Sequence, residues 1–295
     1  MPFTPFRARA LATLLPLLIA AAPPAQTPGG PAPADAAAAE AGAPAYADLA
    51  DMALASPVIA DATIRSAARI KGAEAAGVAP GVARFYVEAD LVALVRSPGP
   101  VPPRVGYLLD VPLDARGRAP KLRKRRVLLF ARPVAGSPGQ LQLSAPDAQL
   151  DWTPAAEART RRIARDLVAA DAPPAVTGVG NAFHVPGALP GEGETQVFIQ
   201  TADGRPVSLS VLRRPGEDRR WAVALSEIVD DAAGPPARDT LLWYRLACGL
   251  PPRLPATSTA QLGPEEAVRA REDYLFVMER LGPCGRTPTA PIAAG

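Results

Sequence analysis

The sequence predicts an α+β protein that begins with a small β-barrel or sandwich and continues with a helix, a three-stranded antiparallel meander and a C-terminal helical pair. Short β-rich runs, separated by proline and glycine clusters, fill residues 45–150. Residues 151–295 begin with a capped helical pattern and continue with alternating runs joined by turn sequences. Two further helical patterns end this second region. We therefore expect a β-rich domain over 45–150 and an α+β domain over 151–295.

The N-terminus has the three parts of a secretory signal peptide. Arg7 and Arg9 precede an apolar run of about 13 residues, and small residues follow the run. Because a membrane-spanning helix needs about 20 apolar residues, this run is too short for a typical span. We expect residues 1–25 to be a signal peptide and the protein to be periplasmic. An uncleaved signal, which would anchor the chain to the inner membrane, is the alternative.

Composition limits the classes of partner. The chain has 32 basic and 29 acidic residues, a net charge of +3. Residues 1–25 hold two of the arginines and no acid, so the remainder is close to neutral and its charge does not favour nucleic acid as a partner. The 36 prolines, with many alanines and arginines, are typical of the codon bias of a GC-rich bacterial genome. Together with the signal, the chain resembles an exported protein family of GC-rich Gram-negative bacteria. Residues 26–44 are rich in proline and alanine and predict a disordered linker.

Five runs in the first region predict strands. They are SPVIADATIRSAARI, ARFYVEADLVALVRS, RVGYLLDVPLD, RRVLLFARPV and GQLQLSAP. The second run alternates clearly, with Phe85, Val87 and Ala89 on one face. Five short strands in about 100 residues are typical of a small barrel or sandwich.

This pattern resembles the OB-like netrin module. The resemblance lies in the opening ADLADMALASPVIADATI, the long strand RFYVEADLVALV and the later RRVLLFARPV, and it covers about 90 residues. It implies an OB-like β domain. Netrin-type protease inhibitors depend on an N-terminal cysteine and several disulfides, which this region lacks, so neither inhibition nor any functional residue is carried over.

The second region predicts one helix, a meander and two more helices. Thr153 and Pro154 suit the start of the first helix, and Asp239 or Thr240 suits the start of the next. The last helix should turn Val268, Tyr274, Leu275, Val277, Met278 and Leu281 inward. The meander should begin at Thr195, with turns at ADGRP and PGEDR.

The chain has two cysteines, Cys248 and Cys284. In an exported protein an isolated pair predicts one disulfide, which would tie the ends of the two C-terminal helices together or join one end to a neighbouring loop. Two free thiols are the alternative. A metal site is not predicted, because zinc needs three or four ligands and the chain has a single histidine. No cofactor motif is present.

A basic run, ARGRAPKLRKRR, is a candidate anion-binding surface. Its cations are Arg116, Arg118, Lys121, Arg123, Lys124, Arg125 and Arg126, and it contains no acid. A phosphate, a polyanion or an anionic lipid would fit this charge. The structural alternative is a solvated hairpin whose charges protect a sheet edge. The run has no aromatic residue, so it does not predict stacking on single-stranded nucleic acid.

The stretch GNAFHVPGALPGEGETQ, residues 180–196, contains the single histidine, His184, with Glu192 and Glu194 close behind it. These three are weak candidates for catalytic residues, with Ser208 and Ser210 as candidate nucleophiles. No G-x-S-x-G elbow is present to support a serine hydrolase. The alternative is a structural histidine in a turn that leads into the meander.

These observations predict an exported, non-catalytic envelope protein that binds a partner. The partner would be an envelope protein or an anionic ligand, not nucleic acid, and a membrane only if the signal stays uncleaved. The alternative function is a hydrolase with its site around His184.

Overall fold

The computed structural model describes residues 44–226 and 234–287. The predicted signal peptide and, except for Pro44, the predicted linker lie outside the described residues. Ten strands and four helices are described. The strands are β1 (Val58–Arg69), β2 (Val82–Arg96), β3 (Arg104–Pro112), β4 (Arg126–Pro133), β5 (Gln140–Leu143), β6 (Gln149–Asp151), β7 (Val176–Pro186), β8 (Gly193–Thr201), β9 (Val207–Arg213) and β10 (Arg220–Ala224). The helices are α1 (Tyr46–Ala55), α2 (Pro154–Asp166), α3 (Leu241–Gly249) and α4 (Pro264–Leu281), and 3₁₀ turns cover Gly72–Ala75 and Ala256–Thr259.

The first five strands form a closed barrel in the order β1-β2-β3-β5-β4, and β4 pairs with β1 to close it. Every pairing around the barrel is antiparallel except the short parallel pairing of β3 with β5. β6 adds a short pairing to β4. All five strands predicted from the sequence are present, so the mixed α+β class and the barrel are confirmed.

A helix, α1, precedes the barrel, where the sequence pattern suggested a segment close to the first strand. Its buried residues, Tyr46, Leu49, Ala50 and Ala53, recur at helical spacing. They pack against the outer side of the barrel, in the same core as Ile59 of β1. Because the helix is short and rich in alanine, its helical period was not recognised in the sequence.

The second sheet has four strands, in the order β10-β9-β8-β7, so the predicted three-stranded meander is wrong by one strand. The additional strand, β7, contains the first part of the histidine stretch, residues 180–186, which was expected to be a turn. Its two glycines and its asparagine lower its β-propensity, and its pairing with β8 is interrupted by register shifts near Gly178 and Gly180. These irregularities broke the alternation on which the prediction depended.

The helices begin as the sequence predicts. The Thr153 side chain accepts a hydrogen bond from the Ala156 amide at the start of α2. Thr240, not Asp239, does the same for the Trp243 amide at the start of α3. The predicted inner face of α4 is partly wrong, because Val268 is 50% exposed and Leu275 is 44% exposed.

Two hydrophobic cores hold these elements together. The smaller core fills the barrel with residues such as Val87, Tyr107 and Leu129. The larger core joins the outer side of β1 and β4 to the helices and to the inner face of the second sheet, with Phe130, Leu209 and Tyr274 among its members. It therefore contains residues from both predicted domains, 45–150 and 151–295, and the proposed division between them stays a prediction. No helix of the described residues is both long and apolar enough to cross a membrane.

Candidate functional site

The barrel wall is covered on one side and open on the other. On β4, five consecutive residues, 127–131, are buried, because one face points into the barrel and the other packs under the helices. β2 instead alternates between buried and partly exposed residues along its first nine positions. The outer face of β2, β3 and β5 is therefore the part of the barrel wall that remains accessible.

An open groove of about 770 Å³ lies on this face. We call it the barrel groove. The residues that line it are Arg84, Tyr86, Tyr107, Leu108, Asp110, Arg132, Val134, Gln140, Leu141, Gln142, Leu143, Ser144, Ala145 and Pro146. A second depression of about 610 Å³, between the loops at 97–102 and 133–139, shares Val134, Gln140 and Leu141 with it. The accessible surface therefore extends from the strands to these proline-rich loops.

Tyr86 lines the barrel groove, and its hydroxyl lies close to Gly106 of β3. A Cβ atom at Gly106 would lie 2.2 Å from the Tyr86 hydroxyl oxygen, so any other residue there would displace the tyrosine. The Gln140 side-chain amide donates a hydrogen bond to that hydroxyl over 3.0 Å. Leu108, opposite Tyr86 in the strand register, is 51% exposed. An aromatic ring and an exposed aliphatic side chain thus lie side by side at the open face.

Charged groups on this face are paired with each other. The Arg84 guanidinium donates two hydrogen bonds, each 2.7 Å long, to the carboxylate of Asp110 directly across the strands. These bonds and the charge of Arg84 hold the pKa of Asp110 below its ordinary value. Arg104 and Asp90 form a similar cross-strand pair over 2.8 Å. The exception is Arg132, whose side chain makes no ion pair among the described residues.

The predicted anion-binding run leads from β3 to β4 and divides into two kinds of cation. Three are engaged: Arg118 with Asp114, Arg125 with Asp151, and Arg126 with Asp61. The other four, Arg116, Lys121, Arg123 and Lys124, are exposed and form no ion pair within residues 44–226 and 234–287. The buried residue between them is Leu122, which is 5% exposed and belongs to the barrel core. The run therefore contributes an apolar side chain to one end of the barrel and leaves four unpaired cations in solvent.

His184 lies on β7, directly opposite Thr195 of β8. Both side chains are on the face of the second sheet that packs against α4. The His184 Nδ1 atom is 2.9 Å from the Thr195 hydroxyl oxygen. Thr195 in turn donates to the buried carboxylate of Asp273 on α4 over 2.6 Å. Because the only hydroxyl proton goes to the carboxylate, His184 must donate from Nδ1, which leaves Nε2 as the acceptor nitrogen. The chain of hydrogen bonds therefore fixes one histidine tautomer.

Asp273 is the centre of this cluster. Its side chain is completely buried and also accepts hydrogen bonds from Arg213 of β9, at 2.8 and 3.0 Å. Arg219 lies 3.4 Å from the same carboxylate. Desolvation lowers the pKa of His184, and the negative charge of Asp273 opposes that effect only in part. A neutral, oriented imidazole is the result.

The other predicted catalytic candidates do not join His184. Glu192 closes its own turn, where its carboxylate accepts from the Leu189 amide over 3.2 Å. Glu194, Ser208 and Ser210 belong to the face of the sheet opposite to Thr195, because residues alternate along β8 and β9. The structure therefore brings His184 together with Thr195 and Asp273 rather than with the glutamates or serines.

Cys248 and Cys284 lie 2.08 Å apart at their sulfur atoms, as the predicted disulfide requires. The bond joins the last turn of α3 to the segment that follows α4. That segment continues to α1, where Arg286 donates to Asp51 over 2.5 Å and the Thr287 amide donates to Asp48 over 3.1 Å. The disulfide thus holds the C-terminal segment close to the N-terminal helix.

The described residues contain no group of three or more His, Cys, Asp or Glu side chains that could hold a metal ion. Comparison with known proteins finds no family model that matches the chain and no curated protein that is similar to it. The candidate sites therefore have to be judged on their own geometry.

Sequence reasoning missed the barrel groove and the Asp273 cluster. The alternation of β2 already placed Tyr86 on the outer face. The space that Gly106 leaves for the Tyr86 side chain can be recognised only when the pairing of β2 with β3 is known. Asp273 stands among apolar residues on a helical face, and a carboxylate on such a face is a sign of a buried ion pair.

Proposed function

We propose that this protein is an exported, non-catalytic binding protein of the cell envelope and that the barrel groove is its binding surface. The observation that carries the proposal is the uneven covering of the barrel wall: residues 58–62 of β1 and 127–131 of β4 are buried on both faces, whereas β2, β3 and β5 keep an accessible groove. The Cys248–Cys284 bond supports export, because structural disulfides persist in oxidising compartments such as the periplasm.

The barrel supports an OB-like classification. It has five strands and is closed by the pairing of β4 with β1, which is compatible with the resemblance of residues 45–150 to OB-like modules. OB-folds bind oligonucleotides and oligosaccharides on the face of their second and third strands. The barrel groove lies on that face.

We infer that the ligand is an uncharged oligosaccharide. The charges on the face are largely matched within the protein, in the pairs Arg84–Asp110 and Arg104–Asp90, so the groove has no row of free cations for a phosphate backbone. Its polar groups are amides and hydroxyls, such as Gln140, Gln142 and Ser144. Sugar hydroxyls are suitable partners for these groups, and Tyr86 with Leu108 offers an apolar platform for the face of a sugar ring.

The test is a calorimetric titration of the full chain with an oligomer of four N-acetylglucosamine residues, beside single-stranded oligothymidine and heparin. The key variant is Gly106→Ala, whose methyl group would displace the Tyr86 hydroxyl without removing any side chain. We expect the glycan to bind and the other two probes not to bind. The affinity for the glycan should fall about tenfold in Gly106→Ala and in Tyr86→Ala.

The control is Phe198→Ala, which removes an exposed aromatic ring from the second sheet. It should leave glycan binding unchanged. Glycan binding that is equal in all four proteins would overturn the groove assignment, and binding of oligothymidine or heparin at the groove instead of the glycan would overturn the inferred ligand class. Failure of all three probes to bind would count against both.

The second candidate function, a hydrolase around His184, is favoured by the hydrogen-bond chain from Asp273 through Thr195. That chain orients the imidazole with Nε2 as a free acceptor, as a general base requires. It would be supported by turnover of a panel of ester and amide substrates that is lost in His184→Gln. Equal turnover, or none, in both proteins would reject it.

A further inference from the structure

The four unpaired cations of the basic run do not share one environment. Lys121 and Arg123 line an open cup of about 740 Å³ at one end of the barrel, together with Arg65 of β1. Arg116 and Lys124 do not line it. The cup is separate from the barrel groove, since the two have no lining residue in common.

Arg65 lies at an irregularity in the pairing of β1 with β2. Ile64 pairs with Ala89 and Ser66 pairs with Glu88, which leaves Arg65 as an extra residue without a partner on β2. This is the arrangement of a β-bulge, and bulges change the direction in which a side chain points. The Arg65 side chain is 56% exposed, and its one ion pair within the described part of the chain is a long one, 3.6 Å, to Asp90.

Besides the three cations, the lining of the cup consists of Ser66 and five apolar residues. Phe85 and Leu122 are buried members of the barrel core and also line the cup, beside Ala67, Ala119 and Pro120. The acidic groups nearest along the strands are already engaged: Glu88 accepts from Ser66, and Asp90 accepts from Arg104. The cup therefore combines three cations with an apolar floor and no free carboxylate in its lining.

We propose that this cup binds the phosphate group of an anionic amphiphile, with Lys121, Arg123 and Arg65 around the phosphate and Phe85 and Leu122 against the adjoining apolar part. A free inorganic anion would use only the cations, whereas a phospholipid headgroup with its first methylene groups would use both surfaces. The apolar floor is the reason for choosing the amphiphile. This proposal does not depend on the function proposed for the barrel groove.

The probe is dihexanoylphosphatidylglycerol, which is soluble as a monomer, and the comparison ligands are inorganic phosphate and zwitterionic dihexanoylphosphatidylcholine. Binding to the full chain is followed by NMR titration at low salt. We expect the anionic lipid to bind at least about tenfold more tightly than either comparison ligand, with shifts in the amides around residues 65–67 and 119–123. Equal affinity for inorganic phosphate would overturn the role of the apolar floor.

Two double variants with the same loss of charge test the role of the cup. Lys121→Ala/Arg123→Ala removes cations that line the cup, and Arg116→Ala/Lys124→Ala removes cations of the same run that lie outside it. All four side chains are exposed and without ion pairs among the described residues, so both proteins should unfold at the same temperature as the parent.

The first variant should bind the anionic lipid about tenfold more weakly, and the second should change affinity by less than about twofold. Equal weakening in the two variants would show that the run attracts anions only through its total charge, and would overturn the site. Unchanged binding in both variants would overturn it as well.

Discussion

Arg126 at the start of β4 forms an ion pair with the buried carboxylate of Asp61 on β1. Its guanidinium reaches both carboxylate oxygens, at 2.5 and 2.9 Å, and the Asp61 side chain is 1% exposed. The same guanidinium lies 3.7 Å from the centre of the Trp152 ring, whose indole nitrogen donates to Glu157 of α2. One arginine of the basic run therefore connects the barrel to the first helix of the second region.

Replacing Arg126 with alanine should strongly destabilise the protein. The substitution leaves the buried Asp61 carboxylate without the guanidinium that neutralises it, and a buried carboxylate without a partner is costly. The measurement is the free energy of unfolding in urea at neutral pH. Arg125→Ala is the matched control, because its pair with Asp151 is exposed and should contribute at most about 1 kcal/mol. Equal losses in the two variants would contradict the assignment of a special role to Arg126.

Removing the disulfide should also lower the stability of the protein. Cys248 and Cys284 are 36 positions apart, and the chain-entropy model gives about 4 kcal/mol for closing a loop of this size. Cys248→Ser/Cys284→Ser should unfold at a lower urea concentration than the oxidised parent. The parent in reducing agent should behave like the variant, and the variant itself should not respond to reducing agent. A parent that does not respond either would argue against a disulfide in solution.

The imidazole of His184 should titrate below its ordinary pKa of about 6.5. Burial lowers its pKa, and Asp273 compensates incompletely. As the only histidine, it can be followed by NMR without assignment, and its nitrogen shifts should report a proton on Nδ1. Because the folded-state pKa is the lower one, the contribution of His184 to stability is present above about pH 6.5 and is lost as the pH falls toward the folded pKa. His184→Gln should lack this dependence, and a measured pKa above 6.5 would contradict the proposed environment.

Acid should release the C-terminal segment from α1. Burial alone would raise the pKa of Asp51, but hydrogen bonds from Arg286 and Tyr244 outweigh it and hold the pKa below the ordinary value. A carboxyl with a lowered folded pKa stabilises the folded contact above the unfolded pKa of about 4, and this stabilisation is lost as the pH falls further. The Arg286 Nε signal in NMR spectra should shift toward its solvent-exposed position on acidification. Asp51→Asn should show the released signal at neutral pH, and a signal identical in both proteins would refute the contact.

Much of the fold could be predicted because it follows from local patterns. The alternation of RFYVEADLV predicts a strand with Phe85 and Val87 inward, and both are buried in the barrel. Thr153 and Thr240 each begin a helix, since a hydroxyl that accepts an amide proton acts within a few residues. Such features need no knowledge of distant parts of the chain.

The errors came from places where a local pattern was weak or misleading. Glycine and asparagine in β7 concealed a strand that β8 holds in place by pairing. On α4, Val268 and Leu275 are apolar yet exposed, while Asp273 is buried because Arg213 and Thr195 meet it from the second sheet. A carboxylate is buried only where such partners are supplied, and they come from residues about 60 and 78 positions away in the chain.

The sequence by itself determined the five barrel strands, the start of α2 at Thr153 and the pairing of Cys248 with Cys284, since each depends on neighbouring residues or, for the cysteines, on there being only two. The tertiary structure alone decided which side of the barrel stays open, and it separated the cations of the basic run into paired and unpaired ones. It also gave His184 the partners Thr195 and Asp273 instead of Glu192 and Glu194. Those outcomes depend on which distant surfaces are buried against each other, and that is settled only when β1 and β4 pack beneath the helices and α4 packs on the second sheet.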